Sequence, residues 1–181
     1  DPNSKRYQQE ELDFRASGKQ RRYSWDYDPE YEIYAYNKPK AAGGQPTYTR
    51  LTNARGYDAE ASYSPDGQWI VFTSMRGAYN RTLNPTEKAA LERDPSLFAD
   101  IYIMKADGSG QKQLTTEWGY DGGPFVSWDG KHIVYRRDVL NTPSELEDYK
   151  ALLKDHMVRP TKLEIWMMDA DGKHNHQITH L

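Results

Sequence analysis

The chain has 181 residues and a formal net charge of −3 at pH 7, so it is long enough for one ordinary domain and gives no electrostatic reason to expect nucleic acid as a partner. Cysteine is absent, which excludes disulfides, thiolate nucleophiles and cysteine-ligated metals. No apolar stretch is long enough for a membrane span. The first residue is Asp1 and not Met, and we therefore expect a processed product or a section of a longer protein.

The first 30 residues mix charged residues and tyrosine without a clean period, which predicts an N-terminal extension or strap. Residues 31–54 then contain two strand-like pieces, EIYAY and TYTRLT, on either side of a loop with Pro and Gly. These two pieces match only the second half of the unit that follows them. The sequence therefore predicts half a unit over residues 31–54.

Residues 55–117 form the first complete unit, with four short pieces bounded by turn signals. AEASYS and QWIVFTS flank an Asp-Gly turn at residues 66–67, and DIYIM and KQLT flank another at residues 107–108. The two middle pieces are nearly continuous apolar runs, which predicts strands buried on both faces. A helix signature near residues 84–98, with Asn84 as the cap residue, lies between them.

Residues 118–181 repeat this unit at an offset of 63 or 64 residues, with GGPFVS, KHIVYRR, EIWMM and HQIT in the same places. Its two Asp-Gly turns match those of the first unit, and a second helix signature with a capping box lies near residues 142–158. Repeated units of four strands, covered on both faces by their neighbours, are typical of β-propeller blades. We label the four strands of a unit a to d.

The stretch YSPDGQWIVFTS followed by DIYIMKADGSGQKQLT resembles the WD-type repeat of TolB-like β-propellers, and the resemblance covers residues 31–181. Two departures are Ala61, where the pattern has its first proline, and Trp128, which replaces the second. The resemblance implies an all-β fold of four-stranded antiparallel blades, as a fragment of a six-bladed ring. The two helix signatures predict helical inserts between strands b and c. The resemblance also implies a bacterial periplasmic or cell-surface setting.

The units add up to about two and a half blades, whereas a closed propeller needs roughly four to eight. We therefore expect the remaining blades in a parent or companion chain, and closure by a homodimer is the alternative. An open ring would otherwise expose strand edges and apolar faces.

Strand order predicts which face of the disc carries the function. The Asp-Gly turns share one face of the disc, while the b–c inserts and the d–a connections share the other. The repeated motif Gly-Tyr-Asp begins strand a, the innermost strand, so five residues are expected at the mouth of the central channel: Tyr57, Asp58, Glu60, Tyr120 and Asp121. Their carboxylates could form an acidic ring that holds Ca²⁺, with Asp58 and Asp121 as ligands, or that receives a basic partner segment. The alternative is that each Asp binds backbone amides of its own turn.

The helical inserts allow two interpretations, because an apolar stripe can pack on the propeller rim or serve as a partner surface. Ser64 and Ser127 repeat with the unit, but neither lies in a G-x-S-x-G elbow, and no catalytic constellation is predicted. The first functional hypothesis is a non-enzymatic recognition or scaffold module for a protein or peptide. The alternative is a propeller that gates substrate entry to a larger peptidase or other hydrolase.

Overall fold

The computed structural model describes residues 4–18, 28–117, 119–138 and 163–180. Within them a helix, α1 (Ser4–Ala16), comes first, and none of its residues is buried. The sequence predicted an extension here but gave no helix period. The described strands are β1 (Tyr34–Asn37), β2 (Thr47–Arg50), β3 (Ala59–Tyr63), β4 (Trp69–Ser74), β5 (Asp100–Lys105), β6 (Lys112–Gln113), β7 (Asp121–Val126), β8 (His132–Asp138), β9 (Leu163–Asp169) and β10 (His176–Gln177).

The strands form three antiparallel sheets in chain order. β1 pairs with β2, β3 to β6 form one four-stranded sheet, and β7 to β10 form another. We call these the half blade, the first blade and the second blade. The predicted all-β fold of four-stranded antiparallel blades is confirmed, because each complete unit folds as one meander of strands a to d.

The blades stack face to face, as the continuous apolar runs of strands b and c predicted. One face of the first blade, with Ile70 and Phe72, packs against Leu51 of the half blade. Its other face packs against the second blade, and the cluster between these two sheets consists of Val71, Ile101, Ile133, Tyr135 and Met168. All five side chains are almost inaccessible to solvent. Burial on both faces is therefore what holds neighbouring units together.

The repeated serines have a structural role in the a–b turns. Ser64 Oγ donates to Asp66 Oδ1 at 2.5 Å and accepts from the backbone N of Trp69 at 2.9 Å. In the second blade, Ser127 Oγ donates to Asp129 Oδ1 at 2.6 Å, and the corresponding backbone N–H donates to it at 2.9 Å. The serine and the aspartate of each turn thus satisfy polar groups that the tight reversal would leave open.

A second repeated bond joins strands c and d in all three sheets. The backbone N of Ile101 donates to Thr115 Oγ1 at 2.9 Å, that of Ile165 to Thr179 Oγ1 at 2.8 Å, and that of Ile33 to Thr52 Oγ1 at 2.9 Å. An acidic residue precedes each isoleucine. This recurrence supports the interpretation of residues 31–54 as strands c and d of a blade.

The insert of the first blade contains α2 (Pro85–Arg93) and a 3₁₀ helix over Pro95–Phe98. Asn84 caps α2, since its Oδ1 accepts from the backbone N of Glu87 at 2.9 Å while Glu87 Oε2 accepts from the backbone N of Asn84 at 2.8 Å. The insert predicted near residues 142–158 lies outside the described residues. None of the helices in the described residues has the length and apolar character needed to cross a bilayer.

Candidate protein-recognition site

The five residues predicted at the channel mouth lie at the start of strand a in the two complete blades, at the end of the sheets that carries the insert. Each motif opens with a glycine in a backbone conformation that L side chains rarely adopt, with φ of +140° at Gly56 and +132° at Gly119. At Gly56 a Cβ would also lie 2.5 Å from Cα of Arg76 and 2.7 Å from the carbonyl carbon of Met75. The glycine of the motif is therefore required by a close backbone approach.

The two tyrosines of the motif anchor the insert. Tyr57 is buried in one cluster with Ala90 of α2 and Phe98 of the 3₁₀ helix, and Tyr120 packs against the same cluster. Tyr57 also stacks on Tyr31 with ring centroids 5.7 Å apart. The insert of the first blade therefore packs on the propeller body, which favours the rim-covering interpretation for its apolar side.

Asp58 belongs to a buried ion pair in the first blade. Its carboxylate accepts from Ser74 Oγ at 2.5 Å and from Nη2 of Arg76, whose side chain is 8% exposed. The Arg76 guanidinium lies over the rings of Phe72 and Tyr102, 5.2 Å and 5.1 Å from their centroids. Burial raises the pKa of Asp58, and the bonds from Ser74 and Arg76 oppose that shift.

Asp121 forms the corresponding pair in the second blade. Arg137 Nε and Nη2 each donate to one oxygen of Asp121, both at 2.7 Å, in a bidentate arrangement. The side chains of Arg137 and Asp121 are 11% and 1% exposed. The Arg137 guanidinium lies 4.7 Å from the ring centroid of Trp166, which occupies the place of Tyr102 in the repeat.

The carboxylates of the predicted acidic ring are paired with arginines in the structure. Asp58 and Asp121 are buried and each is neutralised by an arginine, so their oxygens are not presented to the channel. Within the described residues no group of three or more His, Cys, Asp or Glu side chains is arranged to hold a metal ion. This geometry does not fit the predicted Ca²⁺ ligands, and their partners are arginines of strand b and its end instead of backbone amides of their own turns.

Glu60 and Tyr120 are the members of the predicted set that stay partly exposed, and Glu60 joins the two blades. It accepts from Tyr120 Oη at 2.8 Å, from the backbone N of Gly123 at 2.6 Å and from Arg136 Nη2 at 3.3 Å. The Glu60 and Arg136 side chains are 28% and 41% exposed. We call Glu60, Tyr120 and Arg136 the inter-blade cluster; it presents a carboxylate, a hydroxyl and a guanidinium side by side.

A β-bulge in strand a orients the side chain of Glu60 toward the second blade. The β3–β4 register shifts between Ala59 and Ser62, and Glu60 itself has a φ of +52°. The same shift occurs in the second blade, where Gly123 has a φ of +59°. A side chain in this left-handed region is unusual and costs of order 1 kcal/mol or more, so the contacts of Glu60 with the second blade must offset that strain.

Three arginines of this region were missed by the sequence interpretation: Arg76, Arg136 and Arg137. Arg137 and Ser74 are 63 residues apart and hold the same place in strand b, whereas Arg76 lies two residues further on. The repeat therefore gave no aligned pair of arginines. The available signal was a pair of aromatic residues at equivalent positions in the two units. Arg76 lies over Phe72 and Tyr102 in the first blade, and Arg137 lies over Tyr135 and Trp166 in the second.

Asp100, at the start of strand c, is expected to make stability depend on pH. Burial, followed by the charge of Asp121, raises the pKa of Asp100 to about 8. Its oxygens accept from Gln113 Nε2 at 2.8 Å and Thr115 Oγ1 at 3.2 Å. Because the folded form binds this proton more tightly than the unfolded chain, the stabilisation is complete below the ordinary pKa of 3.8 and is lost as the pH rises through about 8.

Asp100→Asn should therefore flatten the fall in unfolding free energy between roughly pH 4 and 8, measured by urea denaturation at several pH values. Wild type should lose stability relative to this variant by up to about 1.4 kcal/mol per pH unit. Asp107→Asn is the control, since Asp107 lies in an exposed c–d turn and its pKa is lowered, chiefly by Ser109. If the unfolding free energies of wild type and Asp100→Asn changed with pH in the same way, the pKa of Asp100 would not be raised in the folded protein.

The two stacked four-stranded blades define the class of this chain as a β-propeller fragment. No family model matches it. It is 27% identical over 127 residues to an uncharacterized protein of Agrobacterium fabrum, covering 68% of this chain and 32% of that protein.

Among solved structures, the chain is similar to a protein assigned as TolB from Agrobacterium tumefaciens, with 25% identity, a TM-score of 0.47, and 72% of this chain and 36% of that chain covered. It is also similar to TolB from Acinetobacter baumannii, with 21% identity, a TM-score of 0.44, and 77% and 28% covered. The chain thus spans about a third of the length of the proteins it matches. The matching structures include TolB proteins, in agreement with the resemblance seen in the repeat motifs. The propeller assignment itself rests on the two stacked four-stranded sheets.

Proposed function

We propose that this chain is a non-enzymatic recognition module, which binds a protein or peptide partner through the insert-bearing face and the channel mouth. The observation that supports this most is the inter-blade cluster. It brings together Glu60 of strand a in the first blade with Tyr120, just before strand a, and Arg136 of strand b in the second blade. A carboxylate, a hydroxyl and a guanidinium can all bind a polar partner there. Two of the three side chains come from one blade and one from the other.

The surroundings of the inter-blade cluster hold it in place. The buried Asp58–Arg76 and Asp121–Arg137 pairs fix the starts of both inner strands, and the tyrosines of the motif pack under the insert. A recognition surface that is already ordered loses little conformational entropy on binding. The exposed side of α2, with Lys88 and Glu92, extends the same face.

We further propose that other blades cover the outer face of the second blade. Ile101 of the first blade is 0% exposed because the second blade covers it, whereas its repeat equivalent Ile165 is 37% exposed. Phe125 and Ile178 on the second blade are also exposed, at 62% and 45%. Repeat equivalence thus favours a further blade on this face, in a parent or companion chain.

Two finer points complete the proposal. A periplasmic or cell-surface location follows from the sequence resemblance. Gating of a hydrolase stays a prediction, and no contact among the described residues favours it over recognition.

The proposal is tested by selecting binders from a displayed random 12-residue peptide library and measuring their affinity for two charge-reversed variants. Arg136→Glu changes a residue of strand β8 near its insert-bearing end, whereas Lys131→Glu changes the residue just before β8, beside the Asp-Gly turn. Selected peptides should lose tenfold or more in affinity for Arg136→Glu, about 1.4 kcal/mol, and keep their affinity for Lys131→Glu. Equal affinities, losses confined to Lys131→Glu, or no selected peptide would each contradict it. Melting temperatures of both variants verify folding.

A further inference from the structure

The inner edge of the half blade differs from the same edge in the complete blades. Strands β5 and β9 are each paired on both edges, whereas β1 pairs within the described residues with β2 alone. The backbone N of Leu51 donates to the carbonyl O of Ile33 at 2.8 Å. Since hydrogen-bonded pairs alternate along an antiparallel ladder, the odd-numbered residues of β1 face β2. The N–H and C=O groups of Tyr34 and Tyr36 therefore point to the other edge.

A cavity of about 610 Å³ lies at this part of the half blade and reaches strand a of the first blade. Its lining includes the rings of Tyr31 and Tyr34, which are 42% and 53% exposed. Acidic residues also line it, namely Asp28, Glu30, Glu32, Asp58 and Glu60, together with the basic residue Arg50. Such a lining favours a cationic group, through charge and through the faces of the tyrosine rings.

Most of these carboxylates already have an arginine partner. Glu30 pairs with Arg55 at 3.3 Å, and Asp58 and Glu60 pair with Arg76 and Arg136 as described. Acidic composition alone therefore does not define a site. Asp28 accepts from the backbone N of Glu30 at 2.9 Å. Among these five residues, Glu32 has an oxygen that is buried and has no partner among the described residues.

Glu32 has one satisfied and one unsatisfied oxygen. Its side chain is only 6% exposed, and Oε1 accepts from Arg50 Nη2 at 2.5 Å. Oε2 is buried and accepts no hydrogen bond from the described residues. A buried carboxylate oxygen without a partner has lost its hydration without a compensating hydrogen bond, and a bound donor would supply that bond.

The repeat shows what distinguishes Glu32 from its equivalents. Asp100 uses both oxygens, which accept from Gln113 and Thr115, and Glu164 accepts from Thr179 Oγ1. In the half blade the equivalent threonine, Thr52, does not donate to Glu32 Oε2, which accepts no hydrogen bond from the described residues.

The repeat also indicates which residue of an added strand would lie opposite Glu32. In the second blade, strand b places Arg137 directly opposite Glu164. In the first blade, strand b places Ser74 directly opposite Asp100. A basic residue thus occupies this position in one of the two complete blades, where its hydrogen bonds go to Asp121 and Glu117. At the half blade, the unpartnered oxygen of Glu32 favours a basic residue at the same position.

We propose that the open edge of β1 binds an extended segment of a protein partner as an added strand, with a basic side chain of that segment donating to Glu32 Oε2. This rests on the proposed recognition function and names the chemistry of one partner segment. Backbone bonds to Tyr34 and Tyr36 supply affinity, and the buried carboxylate supplies the preference for a basic residue.

The test uses the full chain and a fluorescein-labelled peptide KHIVYRRD, which is the sequence of residues 131–138 and carries the residue that lies opposite Glu164. Binding is measured by fluorescence anisotropy. Glu32→Gln should weaken binding roughly tenfold, the effect of one charge-assisted hydrogen bond, and Asp171→Asn in the exposed c–d turn of the second blade should leave it unchanged. Tyr36→Pro, which removes an edge donor without removing a bond to β2, should abolish binding.

Amide hydrogen exchange completes the test. The amides of Tyr34 and Tyr36 should exchange rapidly in the free chain and become protected when the peptide binds. Equal affinity of wild type and Glu32→Gln, or protection of these amides before any peptide is added, would overturn the proposal. Neither result would affect the recognition function, which is read from the Arg136→Glu and Lys131→Glu comparison.

Discussion

Arg137→Met should destabilise the protein by about 3–5 kcal/mol, because it leaves the carboxylate of Asp121 buried and without its bidentate partner. Asp121 is 1% exposed, so water cannot replace the two lost hydrogen bonds. Urea denaturation followed by circular dichroism measures the change in unfolding free energy.

The neighbouring residue supplies a matched control. Arg136→Met removes an ion pair whose partners are 41% and 28% exposed, and the loss should be about 1 kcal/mol or less. The double variant Asp121→Leu/Arg137→Met should recover much of the loss, since no isolated buried charge is left. Equal effects of Arg136→Met and Arg137→Met would contradict the buried-pair account.

Gly56→Ala should cost about 3 kcal/mol or more, because the added methyl group has no room and the backbone conformation is unfavourable for an L side chain. The obstructing atoms belong to the backbone of Met75 and Arg76, which cannot rotate away as a side-chain tip can. Any shift of this backbone to make room for the methyl group would also move Arg76 away from Asp58. Thermal and urea denaturation of the variant measure the loss.

Gly67→Ala is the control for Gly56→Ala. Gly67 has a φ of +68°, but a Cβ there meets nothing within 4 Å. Its substitution should cost only about 1 kcal/mol, the penalty of the left-handed conformation alone. If both alanine variants lost the same free energy, the close approach at Gly56 would not be the reason for the glycine of the motif.

The strands and turns could be predicted from sequence because their chemistry is local. Ser64 and Asp66 bond within their own turn, and the apolar run of β4 faces two sheets at once. Each repeat therefore carries the information for its own meander, and the comparison of two repeats located the strands.

The electrostatics of the site could not be predicted in the same way, because the partners come from different elements. Asp58 and Asp121 looked equivalent in sequence, yet one binds an arginine beyond strand b and the other an arginine within it. The inter-blade role of Glu60 depends on a bulge, which shifts the register by an amount that the alternation of residues does not reveal.

The repeated stretch from Gly-Tyr-Asp to the Asp-Gly turn therefore has two structural roles in the fold. Its serines and Asp-Gly turns close the meanders, while its Gly-Tyr-Asp start supports the insert and the buried ion pairs. Glu60, two residues beyond Asp58, is the part that reaches an accessible surface.

The most direct test of the proposed recognition face is to map a library-selected peptide on the chain by amide chemical-shift changes in NMR spectra. The account predicts that the changes cluster at Glu60, Tyr120, Arg136 and the exposed side of α2. Changes centred on the turns at Gly67 and Gly130, with the inter-blade cluster unaffected, would contradict it.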